Sequence, residues 1–273
     1  MVPPRHRFTR RGLLAFFGAS FASAALPHPS SAAETPPDLK RDANWTVSFD
    51  DTFDDPSRFA LNWRKIKSGG DQTQTLRLPQ NDVLADGTLR LELGSNPDAN
   101  DHRFRFTGGY VESADFRQRY GYFECEMTIA LEVGVNNAFW LVSDPRTQAA
   151  QDFELDVAEV KFPTVVQSSV RLWRPTRQVH AKVFHAPVSL AAASHRYAML
   201  WGPKQITFFF DDMAFFTVQN DFAHTPAVLR LSNAVADFAG PNDGEVTGAA
   251  TVIGRVRVLQ NSDWASLASP TGR

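Results

Sequence analysis

The stretch Asp152-Phe153-Glu154-Leu155-Asp156-Val157-Ala158-Glu159-Val160-Lys161-Phe162 constrains this chain more than any other. It threads four carboxylates between apolar side chains within eight residues. Successive side chains of a strand point to opposite faces of its sheet. Phe153, Leu155 and Val157 then share one face, and Glu154 and Asp156 the other. Beyond Val157 the alternation slips: Ala158, Val160 and Phe162 form the next apolar set, and Glu159 falls out of phase with Glu154. One extra residue restores the register, and a β-bulge near Val157-Ala158 supplies it. With that bulge both apolar sets face a core, and Glu154, Asp156 and Glu159 line up on the opposite face. A one-residue slip carries every later side chain across the sheet, so the pattern leaves few alternatives.

Three acids in a row on one strand are costly unless something uses them. Like charges held close together repel, and at least one carboxyl is expected to keep its proton above the ordinary range. Hydrolysis of a sugar acetal needs that combination: one carboxylate stays ionised and attacks, and a second delivers a proton to the leaving oxygen. A solvated polar face is the plain reading of a single strand glutamate. A Glu-x-Asp-x-x-Glu row with a bulge signature points instead to chemistry.

The segment Glu154-Leu155-Asp156-Val157-Ala158-Glu159 resembles the active-site signature of glycoside hydrolase family 16, which includes laminarinases, lichenases, agarases and carrageenases. Its bulged, six-residue form is similar to that of the laminarinase and agarase branches. Gly108-Gly109-Tyr110-Val111-Glu112-Ser113, Tyr120-Gly121-Tyr122-Phe123-Glu124 and Asn137-Ala138-Phe139-Trp140-Leu141 resemble strands upstream of the signature. His195-Arg196-Tyr197-Ala198-Met199-Leu200-Trp201 and Ile206-Thr207-Phe208-Phe209-Phe210-Asp211 resemble strands downstream, so the likeness runs from about Phe49 to Gln260. The resemblance implies Glu154 as nucleophile, Glu159 as general acid/base and Asp156 between them. It also implies a concanavalin-like jelly roll with a concave substrate groove.

Away from the signature the chain reads as a dozen or more short strands without internal repeats, which gives an all-β sandwich of two antiparallel sheets. Asp86-Gly87 marks a tight hairpin, and Gly202-Pro203-Lys204-Gln205 another. Residues 45–53 alternate as a first strand, and the acids at 50–55 read as surface turn residues. No long amphipathic helix follows residue 33; Ala191-Ala192-Ala193 has room for one helical turn. Residues 44–273 are read as a single catalytic domain behind a polar, proline-bearing linker at 34–43. Cys125, the one cysteine, alternates with Glu124 and Glu126 and is expected in the core.

Residues 1–33 read as an export signal. Arg5, Arg7, Arg10 and Arg11 precede an apolar run over 12–26 that is too short to span a membrane, and Thr9-Arg10-Arg11-Gly12-Leu13-Leu14 resembles a twin-arginine signal. Cutting after Ser31-Ala32-Ala33 removes four arginines and no acid, leaving 24 basic against 30 acidic residues, a net −6. That balance argues against nucleic acid as a partner. The expectation is an exported monomer, in the periplasm or outside the cell, without membrane attachment once the signal is removed.

A glycan groove needs flat apolar platforms beside hydrogen-bonding groups. Asn137, Trp140 on the strand before the acids and Trp173 on the strand after are the first substrate-side candidates; Tyr110, Tyr120 and Arg171 follow. Trp63, Trp201 and Phe208 to Phe210 are read as packing residues. Two features depart from the family pattern. Arg171 stands near the position where the family often has a histidine, and Asn136-Asn137 replaces the Trp-Pro common in glucan-cleaving members. An arginine there could also recognise an acidic or sulfated sugar. No cofactor is expected. A family-type structural calcium is disfavoured because Gly254-Arg255, where an aspartate is expected, precedes Val256-Arg257-Val258; His180, His185 and His195 are not spaced as metal ligands. The reading is a retaining endo-hydrolase of a polysaccharide, with a β-1,3- or β-1,3/1,4-glucan first and a galactan of agar or carrageenan type second. A transglycosylase and a catalytically silent carbohydrate-binding protein stay open.

Overall fold

A computed structural model describes residues 34–70, 72–98, 100, 103–147, 151–242 and 244–267. The export signal expected over 1–33 lies outside the described residues. In chain order the strands are β1 (Trp45–Asp51), β2 (Trp63–Lys65), β3 (Ser68–Gly69), β4 (Thr75–Arg77), β5 (Asp82–Ala85), β6 (Thr88–Glu92) and β7 (Gly94–Ser95). There follow β8 (Phe106–Gly108), β9 (Tyr110–Ser113), β10 (Gly121–Thr128), β11 (Val135–Ser143), β12 (Asp152–Lys161) and β13 (Val165–Arg174). The last are β14 (Gln178–His185), β15 (His195–Trp201), β16 (Gln205–Phe210), β17 (Met213–Gln219), β18 (Ala227–Val235) and β19 (Ala250–Asn261).

These strands form two large antiparallel sheets, the jelly-roll sandwich expected from the sequence. One has the order β17-β16-β15-β10-β19-β6-β5, with β1 also on β19; the other has the order β14-β13-β12-β11-β18-β9-β2. A small sheet, β3-β4-β8-β7, lies beside them and contains the parallel pair β4–β8. The core sits between the large sheets. Phe139, Leu141, Phe153 and Leu155 face it from the acidic sheet, and Phe123, Cys125, Met199, Phe208 and Val258 from the other. Trp63, Trp201 and Phe208 to Phe210 are all buried, as packing residues should be. Alternation along each strand sends the odd-numbered residues of β11 inward and the even-numbered ones to the opposite face.

Turn chemistry explains the short connections. Asp86 and Gly87 take φ of 51° and 69°, and Asp211 and Asp212 take 45° and 68°, the left-handed pairs that match the twist of two-residue hairpins. Gly109 is required by close approach: a Cβ there would lie 2.7 Å from Asp82 Oδ1 and 2.8 Å from Leu91 Cβ. Residues 191–193 form turns and bends, not a helical turn.

The reading of the acids at 50–55 as surface turn residues is wrong for Asp51. The first strand ends there, and Asp51 is fully buried, accepting from Phe53 N (2.9 Å), Asn62 Nδ2 (2.9 Å) and Trp63 Nε1 (3.0 Å). It ties β1 to the short helix α1 (Pro56–Asn62), whose N-terminus Asp55 caps through Ser57 N and Arg58 N. Asp50 pairs with Arg255, accepting from Nε at 2.8 Å and from Nη2 at 2.6 Å.

Candidate active site

The bulge forms where the alternation slips. Asp156 pairs with Ser169 and Glu159 with Gln167, so three steps on β12 match two on β13. On the other side Phe139 pairs with Ala158 and Trp140 with Asp156, which leaves Val157 as the extra residue. Val157 and Ala158 both stay buried. Glu154, Asp156 and Glu159 therefore share the face turned away from the core, in an open depression of about 120 Å3 with Trp140, Asn136, Ala138, Ser232 and Arg77.

Arg171, next door on β13, gathers the three acids. Its Nε lies 2.8 Å from Asp156 Oδ2 and 3.5 Å from Glu154 Oε1, and its Nη2 lies 3.4 Å from Glu159 Oε2. Asp156 also accepts from Ser169 Oγ. Glu159 accepts from Asn136 Nδ2 at 3.0 Å and from Gln167 Nε2 at 3.3 Å. Donors from the neighbouring strands thus fix the carboxyl orientations before any ligand enters.

Burial sets the electrostatics. It pushes the Glu154 carboxyl up to about 8, helped by the Asp156 charge and opposed by Arg171 and by the Trp173 indole. Glu159 is raised as well, again by burial and then by Asp156, with Lys161, Arg171 and Asn136 opposing. Carboxyls so close titrate as a group, and near neutral pH the group retains a proton. A cluster that holds one proton and one or more negative charges at neutral pH can supply both an acid and a nucleophile.

The sequence candidates divide. Trp140 faces the depression, stacks on Tyr110 at 5.9 Å and 17°, and donates from Nε1 to Ser232 Oγ at 3.1 Å. Tyr110 is buried beneath it. Trp173 is 38 % exposed, with the guanidinium groups of Arg171 and Arg177 over its ring. Beyond it the surface continues into a second depression lined by Val142, Asp144, Asp152, Trp173 and Arg230.

Two candidates are corrected. Asn137 is wholly buried on the core side, donating to Val160 O (3.0 Å) and accepting from Ala130 N (3.0 Å) and Thr251 Oγ1 (2.6 Å). Its separation of three from Trp140 puts the two on opposite faces of a regular strand, so Asn136 is the groove residue. Tyr120 is also buried, edge-on to Trp201 at 5.6 Å, with its hydroxyl 2.8 Å from His224 Nδ1. Sequence reasoning missed Asn136, Gln167 and Ser169, which parity against the acids would have found. It also missed Arg77 and Arg230, for which pairing with β12 offers no signal.

Comparison with known proteins bears on the family and the fold. Residues 54–247 match the family model "Glycosyl hydrolases family 16". The chain is 28% identical over 180 residues to "Endo-1,3-1,4-beta-glycanase EglC" of Rhizobium meliloti, covering 61% of this chain and 36% of that protein. It spans about a third or less of the length of the curated relatives it matches. Among solved structures, the laminarinase catalytic domain of Thermotoga maritima superposes with a TM-score of 0.72 at 15% identity, covering 80% of this chain and 98% of that one. Porphyranase B of Zobellia galactanivorans superposes with a TM-score of 0.67 at 22% identity, covering 79% and 92%. At such identities the superpositions speak for the fold, whereas the family model takes in most of the chain. This chain belongs to glycosyl hydrolases family 16.

Proposed function

We propose that this chain is a retaining endo-glycoside hydrolase whose leading substrate is a β-1,3- or β-1,3/1,4-glucan. The observation that carries the reading is the bulged strand with Glu154 and Glu159 on either side of Asp156, all three in reach of one guanidinium. In the first step the proton that the two coupled glutamates share sits on Glu159, so ionised Glu154 attacks the anomeric carbon while Glu159 gives that proton to the departing glycosidic oxygen, leaving a glycosyl ester on Glu154. In the second, Glu159 takes a proton from water, the water oxygen bonds to the anomeric carbon, and Glu154 leaves as carboxylate. Asp156, anchored by Ser169 and Arg171, lies between the two glutamates and adds to burial in raising both. Trp140 and Trp173 offer ring faces to sugar C–H faces. The glucan assignment is supported by the glycanase named among the curated relatives.

A galactan is the second reading, supported by the likeness to porphyranase B. Export is part of the proposal and rests on the paired arginines and apolar run within residues 1–33. The test is to incubate residues 34–273 with laminarin, lichenan, agarose, carrageenan and xyloglucan, counting reducing ends and following the anomer first released by NMR. Retention is expected, with activity abolished in Glu154→Gln and Glu159→Gln while both stay folded. Product of inverted configuration, or either variant keeping most of the wild-type rate, overturns the assignment. Transfer to a labelled acceptor sugar in preference to water would make the protein a transglycosylase. Silence across the panel would favour a binding protein.

A further inference from the structure

Among the cations of the groove, Arg77 stands apart. Arg171 has three carboxylates, and Arg230 has Glu112 at 2.7 Å. Lys161 donates to Gln167 Oε1 at 3.2 Å. Arg77, from β4 of the small sheet, lines the same depression as the three acids and Trp140, yet among the described residues no carboxylate pairs with it. Its Nε is buried without an acceptor, and its guanidinium lies 5.0 Å from the Tyr110 ring centre. The Arg230 guanidinium lies 5.7 Å from the same ring. Two cations therefore flank one aromatic ring, and one of them has no counter-charge. A buried charge left unpaired is destabilising, and proteins rarely keep one that nothing uses. Burial weakens the hold of Arg77 on its proton, opposed by Tyr110, with a smaller push in the same direction from the Arg230 charge.

We infer that Arg77 receives an anionic substituent, a sulfate ester or a carboxylate, carried by the sugar unit bound against the Tyr110–Trp140 stack. The inference rests on the hydrolase reading and moves its substrate from an unsubstituted neutral glucan to a glycan that bears an anionic group. A guanidinium presents a planar fork of donors that matches both oxyanions, so the two share one recognition chemistry. The charge balance of the groove allows it. The three carboxyls are gathered by Arg171, and Arg230 is paired with Glu112, which leaves Arg77 without a paired anion of its own among the described residues. A neutral sugar hydroxyl could satisfy one Arg77 donor but would leave that charge uncompensated in a partly dry site.

The test compares laminarin and agarose with their sulfated and carboxymethylated derivatives. Binding is read by affinity electrophoresis in a Glu159→Gln background, and turnover by reducing ends in the active enzyme. Wild type should favour at least one anionic polymer over its neutral parent about 10-fold or more, the size expected for hydrogen bonds to a charged group. The sulfated and carboxymethylated arms identify which oxyanion is read. Arg77→Gln should erase that preference, raising KM for the anionic polymer roughly 10- to 100-fold with a much smaller change in kcat. Arg77→Lys, which keeps the charge and loses the fork, should retain part of it. Added salt should shrink the wild-type preference, a readout that needs no variant to fold. Removing an unpaired buried cation should leave the melting temperature unchanged or raise it, whereas a purely structural arginine would lower it. Equal handling of neutral and anionic polymers by wild type, or a preference that survives Arg77→Gln, overturns the inference and leaves the hydrolase reading standing. Arg77-dependent binding of an anionic polymer that is never cleaved does the reverse. Binding to none of the polymers overturns both.

Discussion

Glu154→Gln removes one of three carboxyls crowded around Arg171, and its effect on stability follows from the electrostatics of the groove. The native Glu154 carboxyl is raised to about 8 from an ordinary 4.5, chiefly by burial and then by Asp156. Between those values the native state binds more protons than the unfolded chain, so this group's contribution to stability falls as pH rises through the window. Each pH unit of that window is worth about 1.36 kcal/mol, so the ceiling on the strain at alkaline pH is roughly 5 kcal/mol. Glutamine recovers only part of it, because its amide must find partners and Arg171 loses an anion. A gain of about 1–3 kcal/mol near pH 9 is expected, with almost none near pH 4. For a chain of this size that is roughly 3–10 °C in Tm. Calorimetry of wild type and Glu154→Gln across that range checks it. A melting difference that is flat with pH, or that grows toward acid, would refute the account of Glu154 as a carboxyl held above its ordinary range.

Three further outcomes follow from the same reasoning. Asp82 is buried with Oδ2 unpartnered and raised to about 7, mainly by burial, against the pull of Tyr110 N and Lys65; wild-type stability should fall between about pH 4 and 7, and Asp82→Asn should flatten that fall in denaturant titrations. Asn137→Ala should cost about 2–4 kcal/mol by orphaning several buried groups, whereas Asn136→Ala should leave stability within about 1 kcal/mol and move the alkaline limb of the pH–rate profile upward, because a donor to ionised Glu159 is gone. Trp173→Ala should raise KM for polymer about 10-fold with little change in Tm, since the ring is 38 % exposed; an unchanged KM would remove Trp173 from the sugar-binding surface.

The slip in hydrophobic alternation at Val157-Ala158 was readable because strand parity is a local property: each side chain's face follows from its neighbours. The hairpin at Asp86-Gly87 was readable for a similar reason, since a left-handed pair of residues is chosen by the turn itself. Parity also contained the choice between Asn136 and Asn137, which a resemblance anchored on Trp140 obscured. Asp51 was not readable. Its burial depends on Asn62 and Trp63 arriving to donate, and no local pattern in Asp50-Asp51-Thr52 announces them.

The order of residues by itself determined that Glu154, Asp156 and Glu159 must share one face, because period-two geometry and a single bulge allow no other placement of the flanking apolar side chains. Only the packed structure decided what surrounds those acids. Arg171 became their common counter-ion through the β12–β13 register, and Arg77 entered the groove from a separate small sheet, far upstream in the chain. Proton affinity and charge balance depend on burial and on groups brought close by non-local pairing, and those distances exist only once the sheets have formed.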